Sequence, residues 1–338
     1  MITRVHFHNC GVLRDAVLPL EPITVIIGPN GSGKTTALTA LSTNQAGSTL
    51  PSLLSAAPLP DGQDPQPFVA VDFWFGPSWQ QAARVRFNRH PSLVGADGKF
   101  LDELRGDRYR ELDHGLSNTV HYRLDPWQLI KRQRVLQAEK LSATGENITN
   151  VLDTLRDRYP ERFEDLTRYV NQLAPEFDRI LFDTDPNSER TWALRLAESQ
   201  KMVLSHNVSE GTRLMVALGA IAHLPDAPTL LMIEEPDRGV HPRLLRVIKD
   251  TLETLAFPAE HGSDRPPVQI IVTTHSPLFL SLFSEHPERI VIASKQGEYA
   301  TFKRLSDEPH LSEMLEGASL GEVWYSGALG GVPAESPK

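Results

Sequence analysis

The distribution of hydrophobic residues predicts short buried strands that alternate with helices. Three runs, Ile23–Ile27, Thr229–Ile233 and Val268–Thr273, are dominated by Val, Ile and Leu. Such runs are typical of strands buried on both faces, as in the parallel sheets of α/β proteins. Residues 2–8 alternate instead and predict a strand with one solvated face. The segment Asn9–Gly11 is expected to join this strand to Ile23–Ile27.

Helical periodicity lies between these strands. Thr35–Ser42 and Gly211–Leu224 predict apolar helices, and a further helix is expected over Arg243–Leu255. Apolar residues also recur at helical spacing over Asn150–Leu173. Because proline cannot donate a backbone hydrogen bond inside a helix, Pro160 is expected to divide that segment into two helices.

Further strands are separated by polar segments. The expected strands are Val69–Phe75, Arg84–Phe87, Val120–Leu124, Trp192–Ala197 and Ile290–Ser294. Residues 44–67 are rich in Pro, Ser, Gly and Ala, which predicts a loop or insertion. The charged segment Asp97–Arg110 predicts a second excursion from the core.

Composition narrows the class of protein. The 338 residues include 34 Lys and Arg against 43 Asp and Glu, a formal net charge of −9. Nucleic-acid contact would therefore depend on a local basic patch. A single cysteine, Cys10, excludes a disulfide framework within the chain and fits a reducing compartment. No apolar run approaches the roughly 18 residues of a membrane span, and the N-terminus lacks a signal-peptide pattern. We expect a cytoplasmic protein.

The most specific motif is Gly28–Thr35 (GPNGSGKT), which satisfies the P-loop pattern G-x-x-x-x-G-K-[ST] between a strand and a helix. Its glycines let backbone N–H groups close around phosphate oxygens, and the helix N-terminus adds partial positive charge. Lys34 can reach the β- and γ-phosphates, and the Thr35 hydroxyl can ligate Mg²⁺. The alternative is a glycine-rich turn without a ligand.

Two consecutive carboxylates, Glu234 and Glu235, follow the buried run Thr229–Ile233. The carboxyl end of a parallel strand is where α/β sheets bind ligands. Because adjacent strand residues point to opposite faces, one carboxylate can face Mg²⁺ while the other faces an attacking water. The alternative is a pair of exposed carboxylates at a strand end.

Two weaker signals lie near the other predicted elements. His275 follows Val268–Thr273 and can hydrogen-bond a γ-phosphate, although a lone histidine is more often structural. Ser209 precedes the apolar helix within the tetrapeptide Ser209–Thr212 (SEGT), where a second anion site could form. Taken alone, this tetrapeptide is an ordinary helix cap; beside a P-loop it suggests a composite site shared between subunits.

The order of these motifs resembles the ABC-type ATPase heads of the RecF, SMC and Rad50 group. It is most similar to the stand-alone bacterial predicted ATPases of AAA type (the AAA_21/AAA_15 class). The matching segments are Gly28–Thr35 as Walker A, Ser209–Thr212 as the signature motif, Leu230–Glu235 as Walker B, Asp237–Pro242 as the D-loop region, His275 as the switch histidine and Ser319–Gly331 as the family-like chain end. The resemblance implies an α/β P-loop NTPase fold of ABC type. Its two-lobed head would have a mainly parallel core sheet, an antiparallel β lobe and a helical insertion.

The resemblance also implies how the chain is divided. One ATPase unit would comprise an N-terminal lobe (1–125), an insertion (126–205), a C-terminal lobe (206–305) and a tail (306–338). The insertion is too short and too rich in proline for the coiled-coil arm of SMC relatives. About sixty residues follow His275 without a clear TOPRIM nuclease motif, so we expect the ATPase alone.

The resemblance implies an Mg²⁺-dependent ATPase that dimerises head to tail around two ATP molecules. The implied catalytic residues are Lys34, Glu235 and His275. The implied ATP contacts are Asn30, Gly31, Ser32, Gly33, Lys34, Thr35 and Thr36, with Ser209 and Gly211 from the second subunit. The implied Mg²⁺ ligands are Thr35, Glu234 and Gln128. Three departures stand out: the signature is not LSGGQ, Glu234 replaces the usual Asp, and the Gln-loop glutamine is not obvious, with Gln128 as the candidate.

The resemblance extends to partners. Such ATPases act in DNA repair or anti-phage defence beside a separate effector, such as a TOPRIM-type or other nuclease or a toxin. We expect a self-associating chain with DNA as a further candidate partner and no membrane. The alternative is an ATP-binding sensor or scaffold that turns over little and gates a partner nuclease or toxin.

Three other features allow two interpretations each. His6 and His8 share a strand face, but without further ligands at zinc spacing structural histidines are preferred over a metal site. The basic clusters Arg84, Arg86, Arg89 and Lys131, Arg132, Arg134 are preferred as solvated faces over DNA contacts. The aromatic chain end Ser319–Gly331 is expected to dock a partner, or else to fold back on its own core.

Overall fold

The computed structural model describes residues 1–42, 69–75, 83–87, 91–95 and 118–330. In these ranges the strands are β1 (Ile2–Cys10), β2 (Leu13–Pro19), β3 (Ile23–Ile27), β4 (Val69–Phe75), β5 (Ala83–Phe87), β6 (Pro91–Gly95), β7 (Thr119–Tyr122), β8 (Gln133–Arg134), β9 (Phe177–Thr184), β10 (Glu189–Leu196), β11 (Met202–Leu204), β12 (Leu230–Glu234), β13 (Gln269–Thr273), β14 (Ile290–Gln296) and β15 (Tyr299–Arg304). The helices are α1 (Lys34–Ser42), α2 (Ile148–Arg158), α3 (Pro160–Leu173), α4 (Glu210–His223), α5 (Leu245–Ala256), α6 (Pro277–Ser281), α7 (Leu311–Met314) and α8 (Leu320–Tyr325). The predicted excursions at residues 44–67 and 97–110 lie outside the described residues.

The chain divides into two compact units. The first contains Met1–His121, Pro228–Met232 and Val268–Lys338, and the second contains Tyr122–Ala227 and Ile233–Pro267. Strand β12 therefore leaves the first unit after Met232, and its last two residues belong to the second. Among the described helices, none combines the length and the apolar character that crossing a membrane requires.

The first unit carries an antiparallel sheet of five strands in the order β2-β1-β4-β5-β6. The alternation predicted for β1 is confirmed over residues 4–8, where Val5 and Phe7 are buried and Arg4, His6 and His8 are not. The expectation that Asn9–Gly11 leads straight to β3 is wrong. The chain instead turns into the additional strand β2, which pairs with β1. Burial raises the pKa of the Cys10 thiol to about 12.

A second sheet of the first unit has the order β15-β14-β3-β13-β12-β7. Strand β3 is parallel to both β13 and β14, whereas β15 is antiparallel to β14. Every residue of β3 and of β13 is buried, as their apolar runs predict. The mixed, mainly parallel sheet and the antiparallel sheet give the α/β class expected from the sequence.

The second unit combines four helices, α2 to α5, with a sheet in which β10 pairs with β8, β9 and β11. The predicted break at Pro160 is confirmed, since α2 ends at Arg158 and α3 begins at that proline. Helix α4 is buried along most of its length and packs on α3. An added Cβ at Gly219 would lie 2.7 Å from the Tyr169 ring, so a glycine is required for this close approach.

The described part of the chain end packs within the first unit. Ser319 and Glu322 form a capping box that starts α8, and α8 packs on α6. An added Cβ at Gly321 would lie 2.4 Å from the Pro277 carbonyl oxygen. Trp324 is buried, and only Tyr325 of the two aromatic residues is exposed. The described part of this segment therefore folds back on its own unit, as the second of the two interpretations expects, and docking of a partner stays a prediction.

Candidate nucleotide site

The P-loop connects the buried strand β3 to helix α1 in the first unit. Its backbone is left-handed at Gly31 (φ 78°) and at Gly33 (φ 89°), a conformation that glycine adopts without strain. An added Cβ at Gly33 would lie 2.9 Å from the Cβ of Ala300 and 3.0 Å from Cδ2 of Leu13. The loop is therefore held tightly against β2 and β15, and a glycine is needed for both its conformation and its packing.

Polar groups inside this loop are arranged to receive an anion. The Lys34 ammonium group is buried and donates to the carbonyl oxygens of Gly28 (2.7 Å) and Pro29 (2.9 Å). The Ser32 hydroxyl oxygen is buried and has no hydrogen-bond partner. A buried hydroxyl group without a partner costs about 1–3 kcal/mol, which a phosphate oxygen would offset. Asn30 and Thr35 are exposed at the same loop.

The switch-histidine candidate lies at the same edge of the sheet as the P-loop. In the parallel pair of β3 and β13, Ile26 is the partner of Thr273, and the Thr274 N–H donates to the Ile26 carbonyl at 3.2 Å. Two residues beyond the paired positions, one strand reaches Gly28 and the other reaches His275. The histidine is exposed. The first unit thus brings the Walker A segment and His275 to adjacent strand ends.

The two carboxylates differ in backbone conformation. Glu234 is the last residue of β12, whereas Glu235 lies beyond the strand with a left-handed φ of 46°. The expectation that strand alternation sends the two side chains to opposite faces therefore does not extend to Glu235. Both residues are half-buried. A left-handed residue other than glycine is strained by about 1–2 kcal/mol, and such strain is concentrated at functional sites.

The signature candidate begins α4 in the second unit and contacts the D-loop candidate of that unit. Ser209 is the N-cap, and its hydroxyl accepts from the Thr212 N–H at 3.2 Å. An added Cβ at Gly211 would lie 2.8 Å from the Gly239 carbonyl oxygen. The backbones of the signature segment and the D-loop segment therefore pack directly against each other, and only a glycine fits at position 211.

A buried arginine, which the sequence reasoning missed, connects the signature helix to the Gln-loop candidate. The Arg213 guanidinium donates to three carbonyl oxygens, those of Ser205 (2.9 Å), His206 (2.7 Å) and Pro126 (3.4 Å). Pro126 belongs to the turn that carries Gln128, whose side-chain oxygen is buried without a hydrogen-bond partner. The sequence feature that could have revealed Arg213 is its position as a charged residue near the start of the apolar helix α4.

Two of the basic residues weighed as DNA contacts have acidic partners. Arg132 pairs with Asp183 at 2.5 Å, and Lys131 lies 3.7 Å from Glu146. These pairs favour the interpretation as a solvated surface. The side chains of Arg84, Arg86 and Arg89 lie outside the described residues.

The family of the chain is shown by a model that matches more than half of it. The family described as "AAA domain, putative AbiEii toxin, Type IV TA system" (AAA_21) matches residues 96–281. The chain belongs to this family. The matched segment contains the signature, Walker B and switch-histidine candidates, and Gly28–Thr35 lies upstream of it.

Relatives of known structure show the fold. The structure of an SMC head bound to the C-winged helix domain of ScpA is 15% identical, with a TM-score of 0.60 over 89% of this chain and 97% of that chain. The Smc head of Pyrococcus furiosus, bound to the C-terminal domain of ScpA, is 14% identical with a TM-score of 0.58 over 93% and 99%. The chain therefore has the fold of an SMC-type ABC head.

A curated protein is also similar over most of the chain. The OLD nuclease of Thermus scotoductus is 25% identical over 371 aligned positions, which cover 95% of this chain and 68% of that protein. Together, the family, the fold and the P-loop define a nucleotide-binding P-loop ATPase head of SMC-like, ABC type.

Proposed function

We propose that this chain is an Mg²⁺-dependent ATPase whose ATP-bound form pairs head to tail with a second copy. It would serve as the regulatory or motor subunit of a separate effector, a nuclease or a toxin, in anti-phage defence or DNA repair. The observation that carries the proposal is the P-loop, which contains both a buried Ser32 hydroxyl without a partner and the buried Lys34 cation.

The residues of the P-loop fit a bound triphosphate. A phosphate oxygen could accept from Ser32 and from Lys34, which now donates to carbonyls of its own loop. Backbone N–H groups at Gly31 and Gly33 and the N-terminus of α1 would add further donors. Thr36, in the first turn of α1, is the last of the proposed ATP contacts.

The oxygen donors Thr35 and Glu234, with Gln128 as the third candidate, are of the type that Mg²⁺ prefers. Bound there, Mg²⁺ would neutralise charge on the phosphates. Glu235 is proposed to orient the attacking water and accept its proton, and His275 to hydrogen-bond the γ-phosphate. The strained backbone at Glu235 supports a role that depends on the position of that carboxylate.

The proposed dimer rests on the signature segment. Ser209 is exposed at the head of α4, while Gly211 directly behind it is packed against Gly239. A rigid helix head with an exposed hydroxyl is suited to contact a phosphate presented by a second subunit. The OLD nuclease similarity and the toxin-system description of the family support an effector of nuclease or toxin type.

The test is the Glu235→Gln variant, with Glu313→Gln at an exposed surface position as the matched control. We expect the Glu235→Gln protein to bind ATP, to hydrolyse it at least about 100-fold more slowly, and to accumulate as a dimer. Phosphate release measures the turnover, and light scattering during gel filtration with ATP and Mg²⁺ measures the mass. A wild-type chain that binds ATP without turnover would favour the sensor or scaffold instead. A strictly monomeric mass in every nucleotide state would refute the head-to-tail dimer.

A further inference from the structure

We propose that His6, His8 and Asp15 form a binding site for a transition-metal ion of the Zn²⁺ class on the β1–β2 hairpin. One ligand atom from each of the three side chains lies within 4.8 Å of the others. His8 is directly opposite Asp15 in the antiparallel pair, and His6 precedes His8 by two residues on the same face. The missing third ligand comes from β2, the strand that sequence reasoning did not predict.

The neighbouring strand provides a group that would orient one ligand. Asp72 on β4 is buried, and its carboxylate lies 2.9 Å from Nε2 of His8. A carboxylate that accepts the proton of one ring nitrogen leaves the other nitrogen, here Nδ1, as a lone-pair donor. Metal-ligating histidines are oriented in this way in most protein sites. Asp72 is therefore a positioning residue for His8 and not a ligand.

The donor set selects the class of ion. Two imidazole nitrogens with one carboxylate oxygen suit Zn²⁺, Co²⁺ or Ni²⁺, whereas Mg²⁺ and Ca²⁺ prefer oxygen ligands alone. Tetrahedral Zn²⁺ needs ligand atoms about 3.3 Å apart, a distance that follows from metal–ligand bonds of about 2.0–2.1 Å. The ligand atoms lie within 4.8 Å of one another, and the Asp15 side chain is 79% exposed and can move to close the difference.

A competing interpretation uses the same contacts without a metal. His6 is hydrogen-bonded to Asp15, as an ordinary ion pair on a sheet surface would be. Two separate histidine–aspartate pairs, His6 with Asp15 and His8 with Asp72, would satisfy all four groups. The two interpretations differ in one property, which is the affinity of the free protein for a transition metal.

The site would have a mechanical consequence for the P-loop. Strand β2 begins at Leu13, and Cδ2 of that residue lies 3.0 Å from the position of an added Cβ at Gly33. A metal held by β1 and β2 together would brace the hairpin that packs on the nucleotide loop. The proposed metal binding does not depend on ATP hydrolysis, and each can be tested without the other.

The experiment titrates the nucleotide-free, chelator-treated full chain with ZnCl₂ by calorimetry and with CoCl₂ by visible absorption. We expect one tight equivalent of Zn²⁺ and the absorption bands of tetrahedral Co²⁺. At a hundredfold excess over the dissociation constant, Zn²⁺ should raise the melting temperature by about 5 °C. Asp15→Asn and His6→Gln should weaken binding at least tenfold, and Asp72→Asn by about 10–100-fold.

The matched control is His310→Gln, which breaks an exposed pair of His310 with Glu313 at 3.2 Å. This variant should bind Zn²⁺ as the wild-type protein does. Because Asp15 is exposed, Asp15→Asn should melt at the wild-type temperature when no metal is present. The proposal is overturned if the wild-type protein takes up no tight equivalent, or if Asp15→Asn and His6→Gln bind Zn²⁺ with unchanged affinity.

Discussion

The helices that carry the Walker A and signature candidates begin in opposite ways. The start of α1 contains a buried cation, Lys34, and the P-loop before it contains a buried Ser32 hydroxyl that has no partner. At the start of α4 the Ser209 hydroxyl is already used as a cap, and the first turn contains the acidic Glu210. We therefore propose that the first helix start binds an anion by itself and that the second adds a contact to an anion held elsewhere.

This difference separates affinity from turnover. We expect the free energy of nucleotide binding to come from the first unit, since its helix start supplies the cation and the free donor. We expect changes at the start of α4 to act on dimerisation and on hydrolysis while leaving nucleotide affinity nearly intact.

The largest effect is expected for Lys34→Ala. Removing the cation from the phosphates should lower the rate of ATP hydrolysis by about 10²–10³-fold and weaken ATP binding. Phosphate release and titration with a fluorescent ATP analogue measure the two quantities. Lys201→Ala, at an exposed position, is the control and should leave ATP binding and hydrolysis unchanged. Near wild-type turnover in the Lys34 variant would place the phosphate site elsewhere.

A slightly smaller effect is expected for Glu235→Gly. Glycine adopts the left-handed φ of 46° without strain, so the variant should be as stable as the wild-type protein or about 1 kcal/mol more stable. Its turnover should nevertheless fall by about 100-fold because the carboxylate is lost. Ser188→Gly, at another left-handed position (φ 64°), should keep full turnover. A Glu235→Gly protein with normal turnover would show that the strained residue is structural.

The third prediction compares two glycines, each at the start of one of the two helices. Gly33→Ala combines a left-handed φ with a Cβ contact of 2.9 Å to Ala300, and it should weaken ATP binding at least about tenfold, or 1.4 kcal/mol. Gly211→Ala forces the helix start away from Gly239, and it should lower turnover while ATP affinity stays within about threefold. Equal losses of affinity in both variants would remove the distinction between the two helix starts.

The smallest effect is expected for Ser209→Ala. Loss of an N-cap costs about 1 kcal/mol of stability, and the same loss is expected for Ser319→Ala at the start of α8. Only the Ser209 variant should also reduce turnover or ATP-dependent dimerisation. Thermal melting in parallel with phosphate release separates the two effects. If the two variants behave alike in both assays, Ser209 is a cap and nothing more.

Much of the first unit could be predicted because its signals are local. The apolar run of β3, the glycines after it and the helix that follows are contiguous in the sequence, and the structure has them within one residue of the prediction. In the second unit, a single proline likewise predicts the division between α2 and α3. In each case the residues that determine the element lie inside the element.

The missed features depend on distant partners. Strand β2 (LRDAVLP) lacks a regular alternation of apolar and polar residues and is recognised only by its pairing with β1. Glycines disfavour a helix at the chain end, yet Gly321 lies in α8 and allows its close approach to Pro277. A local signal did exist, since Ser319 and Glu322 have the spacing of a capping box. The hydrogen bonds of Arg213 to three carbonyls could not be predicted, because one of them lies 87 residues away.

The buried cysteine has a practical consequence for measuring motion in this protein. Cys10 is the only cysteine of the chain, it is fully buried, and its raised pKa keeps it in the unreactive thiol form at neutral pH. Maleimide reagents should therefore not react with the wild-type protein. A reporter cysteine introduced as Tyr325→Cys, at an 80% exposed position, would carry a fluorophore or spin label alone, without any prior removal of the native thiol.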